Sequence, residues 1–89
     1  SGEIPGVLVN AYPNPVASEL TVEVTAETAN AYSLDLTDVS GRVVYNGQMN
    51  TTGGMKTTTV DVSNLSKGMY LLTVRSNDGF SNQIRIAVQ

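Results

Sequence analysis

Apolar and polar residues alternate in short segments along most of the chain, and this pattern predicts β-strands. Every second side chain of a strand lies on the same face of its sheet. Leu20, Val22 and Val24 are therefore expected on one face, with Thr21 and Glu23 on the other. Similar segments recur along the chain, separated by turn residues such as proline, glycine and asparagine. The predicted strands cover residues 7–12, 20–24, 32–36, 42–48, 56–62, 69–76 and 80–88.

Seven short strands with turn signals about 8–12 residues apart are typical of a two-sheet sandwich. We therefore predict an all-β fold, a seven-stranded immunoglobulin-like antiparallel β-sandwich. The segment Thr57–Thr59 is expected at the edge of a sheet, where two copies of the chain would associate weakly as a homodimer. The side chains expected in the core are those of Leu20, Val22, Val24, Leu34, Leu36, Tyr70, Leu72, Val74, Ile84 and Ile86.

A chain of 89 residues has room for one domain. A domain of this size buries a little over ~60% of its unfolded surface, so a deep catalytic cleft is not expected. We assign residues 7–89 to the single domain. Residues 1–6 are interpreted as a linker from a larger parent protein, and Ser1 and Gly2 as a leftover of cloning.

The composition excludes several classes of function. The chain contains neither histidine nor cysteine, so Ser-His-Asp and Cys-His catalysis, disulfides and thiolate metal sites are ruled out. The net charge is −3, and the five basic residues are spread along the chain, which argues against nucleic-acid binding. No phosphate-binding or dinucleotide-binding spacing occurs, so no cofactor is expected. We do not expect an enzyme.

Three groups of residues have a second interpretation. The aspartates could bind Ca²⁺, but they do not follow the spacing of a calcium loop, and solvated turns are favoured. The segment Asp38–Gly41 is interpreted as a β-turn rather than as half of an aspartic-protease site. The four tyrosines could form a sugar-binding platform. Three of them alternate in phase with aliphatic residues, which favours core or rim positions.

Three motifs follow one another along the chain. The first is Tyr12-Pro13-Asn14-Pro15, the second runs from Leu36 to Val44, and the third runs from Leu65 to Val74. The last strand is Ile84-Arg85-Ile86-Ala87-Val88-Gln89. In this order and with these separations, the motifs resemble the type IX secretion system C-terminal sorting domain, also called the Por secretion tail. The resemblance covers residues from Val7 to the end.

The resemblance implies an immunoglobulin-like domain at the C-terminus of a secreted protein of a Gram-negative bacterium. Such a domain directs its N-terminal cargo across the outer membrane to the cell surface, with the type IX translocon as its partner. A sortase-like cysteine protease then removes the domain, which is the substrate of that reaction. The last strand of the family often carries lysine followed by three branched apolar residues. Here Arg85 takes the lysine position and Ala87 interrupts the apolar run.

The motif residues are the candidate recognition residues. We expect the hairpin formed by residues 68–89 to carry most of the sorting information, because motif residues are concentrated there. Its last strand would be added to a receptor sheet through its main chain, or would be read in place as a folded edge. The candidates are Tyr12, Pro13, Asn14, Pro15, Gly41, Arg42, Leu65, Gly68, Tyr70, Leu72, Val74, Ile84, Arg85, Ile86 and Val88.

Two other functions are compatible with the same fold. The first is an immunoglobulin-like or fibronectin-like spacer or adhesion module. The second is a carbohydrate-binding module attached to a hydrolase, which an exposed row of aromatic side chains would favour. The phases of the tyrosines do not predict such a row.

Overall fold

The computed structural model of the chain describes residues 7–89, and most of them lie in antiparallel β-strands. These residues form no helix that could cross a membrane. The linker assigned to residues 1–6 lies outside the described range. The strands are β1 (Val7–Tyr12), β2 (Glu19–Thr37), β3 (Val43–Asp61), β4 (Gly68–Ser76) and β5 (Ser81–Val88).

The all-β class is confirmed, but the predicted number of strands is wrong. The segments 20–24 and 32–36 are the two halves of β2, and the segments 42–48 and 56–62 are the two halves of β3. Pairing between β2 and β3 continues through the middle of both strands, with a register shift. Seven predicted strands are therefore five.

Residues 50–54 lie between the predicted strands 42–48 and 56–62, but they form a bend within β3 and not a separate loop. Gly53 and Gly54 have φ angles of 93° and 100°, which residues with a side chain rarely adopt. On β2, the register shifts between Ala26 and Ala29, and such a bulge increases the local twist and bend of a strand. Both strands therefore curl without leaving the ladder, although their sequences carry turn signals.

β2 is the central strand of a single sheet. β1 pairs with residues 21–26 of β2, and β4 pairs with residues 32–37 on the same side. β5 extends the sheet beyond β4, and β3 lies on the other side of β2. The strands thus form one curled antiparallel sheet, because β2 and β3 run from one half of the molecule into the other, and the predicted sandwich of two sheets is not confirmed.

The core lies on one face of this sheet and contains alternate residues of the strands. The predicted core residues are all buried except Ile84, which is half-buried and packs against the others. Tyr32 and Phe80 contribute an edge-to-face aromatic pair, with ring centroids 6.1 Å apart. Further buried apolar side chains are those of Ala11, Val16, Ala26, Met49, Val60, Val62 and Val88.

β3 is an edge strand. Among the described strands it pairs with β2 alone, so Thr57–Thr59 lies at an edge as predicted. Lys56, the one charged residue beside this segment that would discourage pairing, is exposed. Weak association of two copies through this edge stays a prediction.

Replacement of Leu72 by alanine should lower the free energy of unfolding by about 2–5 kcal/mol, because the change leaves a cavity in the core. Leu72 is fully buried in β4, whereas Leu8 in β1 is 72% exposed. The control Leu8→Ala should change stability by no more than about 0.5 kcal/mol. Urea denaturation followed by circular dichroism measures both. Equal losses in the two variants would contradict this description of the core.

Candidate functional site

A tight turn around Asp38 joins β2 to β3. The Asp38 carbonyl accepts a hydrogen bond from the amide of Gly41 at 3.0 Å, which is the β-turn that the sequence predicts. Asp38 Oδ1 accepts three more bonds, from the amide of Ser40 at 3.0 Å, the Ser40 hydroxyl at 2.7 Å and the amide of Arg42 at 3.0 Å. Gly41 has a φ of 90°, so the turn requires glycine here.

The same contacts determine the charge of the turn. The Ser40 hydroxyl and the Arg42 amide hold the pKa of the Asp38 carboxyl below its usual value. Asp38 Oδ2 lies 3.3 Å from Nε of Arg42. The carboxylate and the guanidinium therefore partly neutralise each other, and the turn offers a partner little net charge.

Tyr70 fixes the loop that leads into β4. Its hydroxyl donates a hydrogen bond to the carbonyl of Ser66 at 2.6 Å, and the residue is only 8% exposed. Leu65, in the same loop, is half-buried against the core. A buried tyrosine bonded to a backbone carbonyl a few residues upstream matches the tyrosine corner of immunoglobulin-like domains. The third motif therefore determines how the chain enters β4.

An open groove lies where the second and third motifs meet β5. We call it the motif groove, and its volume is about 520 Å³. On the outer face of the sheet, Leu71 lies between Thr37 on β2 and Arg85 on β5. Val39 and Met69 are 87% and 48% exposed. The residues lining the groove are Thr37, Asp38, Val39, Gly41, Met69, Tyr70, Leu71 and Arg85.

Arg85 adds an available positive charge to the motif groove. The two ion pairs found among the described residues join Arg42 to Asp38 and Arg75 to Asp35. Arg85 belongs to neither, and its side chain is exposed. Within the described part of the chain, it is the groove's cation with no acidic partner.

The first motif contacts the last strand. Asn14 Nδ2 donates a hydrogen bond to the carbonyl of Arg85 at 2.8 Å, and Asn14 Oδ1 accepts one from the amide of Ala87 at 3.0 Å. Two residues further on, Val16 forms a parallel bridge with Val88. The segment that follows β1 is therefore adjacent in space to the last strand, although the first of these contacts spans 71 positions.

The candidate recognition residues divide by their exposure. The buried ones can act on a partner only by shaping the surface, while the exposed ones can touch it. Leu65 and Ile84 are half-buried. The buried ones are Tyr70, Leu72, Val74, Ile86 and Val88. The exposed ones are Tyr12, Pro13, Asn14, Pro15, Gly41, Arg42, Gly68 and Arg85.

Sequence reasoning did not single out the apolar lining of the motif groove. Met69 and Leu71 face outward and alternate with the core residues Tyr70 and Leu72, so the run is apolar on both faces of β4. This break in the alternation was the available signal, because an outward apolar residue needs either cover or a partner. Val39 lies in a turn, where no periodicity marks it.

The family model of the secretion system C-terminal sorting domain matches residues 10–89. The chain belongs to the type IX secretion C-terminal sorting domain family. The matched range includes all three motifs and the last strand, and hence every residue that lines the motif groove of this sorting domain. No curated protein matches the sorting domain significantly.

Solved structures share the fold of the sorting domain at low sequence identity. A beta-glucosidase from Listeria innocua in complex with isofagomine has a TM-score of 0.58 and 18% identity, over 92% of this chain and 16% of the glucosidase. A hypothetical protein from Pyrococcus horikoshii OT3 has a TM-score of 0.55 and 14% identity, over 97% of this chain and 93% of that one. At these identities the likeness shows the fold alone.

Tyr70→Phe should lower the free energy of unfolding by about 0.5–1.5 kcal/mol, because it removes the hydrogen bond to Ser66 without changing the ring. Tyr45→Phe is the matched control, since the Tyr45 hydroxyl makes no hydrogen bond to the described residues. Urea denaturation measures both variants. A loss in the control as large as that of Tyr70→Phe would contradict the role of the tyrosine corner.

The stability of the sorting domain should fall in acid. The carboxyl pKa values of Asp38, Asp61 and Asp78 lie below their usual value, in each case mainly because a serine hydroxyl donates to the carboxylate. A lowered folded-state pKa stabilises the fold above the unfolded pKa, near about 4, and that contribution is lost as the pH falls through the folded pKa.

Urea denaturation between about pH 6 and pH 2 should therefore show a decreasing free energy of unfolding below about pH 4. In Asp38→Asn the decrease should be smaller, since one of the three carboxylates no longer titrates. An identical pH profile for the variant and the parent would show that the turn at Asp38 contributes nothing to this dependence.

Proposed function

We propose that the sorting domain directs an attached cargo protein through the type IX translocon and across the outer membrane to the cell surface. We propose further that the translocon contacts the motif groove and Arg85. The observation that carries this proposal is the composition of the groove. Residues from the second motif, the third motif and the last strand line one surface, although they are far apart in the sequence.

The shape of the groove suits a receptor that serves many cargoes. Such a receptor can use only features that its cargoes share, such as backbone shape, a few pockets and a charge. The Asp38 turn and the tyrosine corner hold the walls of the groove. In each, the hydrogen bonds join residues that are only a few positions apart in the sequence. The groove therefore depends little on what is attached to the domain.

The chemistry of the groove defines the partner segment. Val39 and Met69 expose apolar surface, and exposed apolar patches rimmed by polar groups mark protein-binding sites. Arg85 supplies a positive charge, while the charge of Arg42 is shared with Asp38. A protein segment with an apolar side chain next to a carboxylate complements both features.

We also propose that the domain is a substrate rather than an enzyme, and that a sortase-like cysteine protease at the cell surface separates it from its cargo. Membership of the family supports this step. The cleaved bond would lie upstream of β1, which begins the described fold at Val7.

A carbohydrate-binding role has weaker support. Tyr32 and Tyr70 are buried and Tyr45 is half-buried, so the four tyrosines do not form an exposed platform. The likeness to a beta-glucosidase is limited to the fold, and it covers only 16% of that enzyme. A spacer role would leave the surface that the second motif, the third motif and the last strand share without a function.

Surface delivery of a fused reporter tests the proposal. The sorting domain is placed at the C-terminus of a periplasmic reporter in a host with type IX machinery, and reporter at the cell surface is measured. Arg85→Glu reverses the charge at the groove, and Val39→Asp places a charge on its apolar wall. Each should reduce delivery by roughly tenfold, the effect of losing about 1.4 kcal/mol of binding.

The control Lys56→Glu makes the same charge reversal on β3, and delivery should be unchanged. All three variants should keep the stability of the parent within about 0.5 kcal/mol, so that a loss of delivery reports recognition. Normal delivery of both groove variants would refute the motif groove as the contact surface.

A further inference from the structure

The outer edge of β5 is covered along half of its length. On the side away from β4, the Ala87 amide donates a hydrogen bond and the Ala87 carbonyl accepts one. The backbone amide and carbonyl of successive residues in a strand point to opposite edges of that strand. Those of Gln83 and Arg85 therefore point away from β4, as those of Ala87 do. The Arg85 carbonyl, both backbone groups of Ala87 and the Gln89 amide have partners from residues 14–16. The Arg85 amide and both groups of Gln83 have none among the described residues.

Asn14 acts here in place of a strand residue. A side-chain amide carries one donor group and one acceptor, as a peptide group does. Its Nδ2 bonds the Arg85 carbonyl at 2.8 Å and its Oδ1 bonds the Ala87 amide at 3.0 Å. Alanine has neither group, and aspartate at neutral pH has only acceptors, so the residue type matters.

Val16 continues the same contact with its main chain. The Val16 amide donates to the Ala87 carbonyl at 2.8 Å, and the Gln89 amide donates to the Val16 carbonyl at 2.8 Å. The side chains of Val16 and Val88 are both buried. Pro15, between the two contacts, has no amide donor that would need a partner. We call residues 14–16 the clip.

We propose that the clip positions the last strand for recognition, with Asn14 as its positioning residue. By holding β5 from the Arg85 carbonyl to the end, it keeps Arg85 at the rim of the motif groove and limits the open edge to residues 81–85. This inference rests on the proposed function. It adds that the first motif acts through the last strand, not by touching the partner.

Asn14→Asp tests the clip with almost no change in shape. The variant keeps the acceptor for the Ala87 amide but places a carboxylate oxygen against the Arg85 carbonyl, and two acceptors repel. The hydrogen-exchange rate of the Ala87 amide in the 89-residue chain should increase by roughly tenfold or more. Exchange of the Leu34 amide, in the core strand β2, should stay unchanged.

Two further variants serve as controls for this measurement. Asn50→Asp adds the same charge at an exposed position of β3 whose side chain makes no hydrogen bond to the described residues, and it should leave both exchange rates unchanged. Asn14→Ala removes both side-chain bonds of Asn14 without adding a charge, and it should reproduce the faster exchange at Ala87. Unchanged exchange in both Asn14 variants would refute the clip.

The reporter fusion then separates positioning from a purely structural role. Asn14→Asp and Asn14→Ala should each reduce surface delivery by roughly tenfold, while Asn50→Asp delivers normally. Faster exchange at Ala87 with normal delivery would overturn the inference, because the strand would be loosened without effect on recognition.

The same data distinguish this inference from the proposed function. Arg85→Glu and Val39→Asp should lose delivery while exchange at Ala87 stays normal, because neither side chain takes part in the clip. Normal delivery of these two variants with loss in the Asn14 variants would refute the groove as the contact surface and leave the clip standing. Loss in the groove variants alone would refute the clip as a positioning device.

Discussion

An edge strand carries a row of backbone donors and acceptors that need hydrogen-bond partners. The rest of this sorting domain depends on how the last strand, β5, finds those partners. Along half of β5 the partners come from Asn14 and Val16, near the other end of the described chain. That contact holds the edge of β5 that faces away from β4, and through Arg85 it holds one rim of the motif groove. Among the described residues, both backbone groups of Gln83 and the Arg85 amide have no partner, so β5 keeps a short open segment where another strand could pair, in addition to the edge of β3.

The other walls of the groove are built locally. Asp38 accepts hydrogen bonds from its own turn, and Tyr70 bonds a carbonyl four residues upstream. Each wall is thus determined by a few consecutive residues, and the curled sheet brings the walls to one surface. This combination explains how motifs that are short and separate in the sequence can act together as one sorting signal in a folded domain.

The sequence predicts the faces of the strands better than their ends. Strict alternation around Leu34 identified buried positions, because a side chain's face depends only on its place in the strand. The prediction of the number of strands failed at residues 26–29 of β2 and 50–54 of β3, where small residues bend the strands without ending them. The Asn14 contact spans 71 positions, so no local pattern could reveal it, although the resemblance marked both of its ends. The last strand was expected at an edge, but which half of that edge stays open follows from the Asn14 contact and was equally beyond prediction.

The central claim is that the last strand is read in place, as part of the folded domain. Val16 forms an isolated parallel bridge with Val88 of β5, a spacing within reach of a disulfide, and the chain has no cysteine of its own. A fusion carrying Val16→Cys and Val88→Cys would lock β5 to the clip when oxidised, and its reduced form is the matched control. Surface delivery of the oxidised and reduced forms should be equal. Delivery of the reduced form alone would show that β5 must leave the fold to be recognised, and would contradict this account.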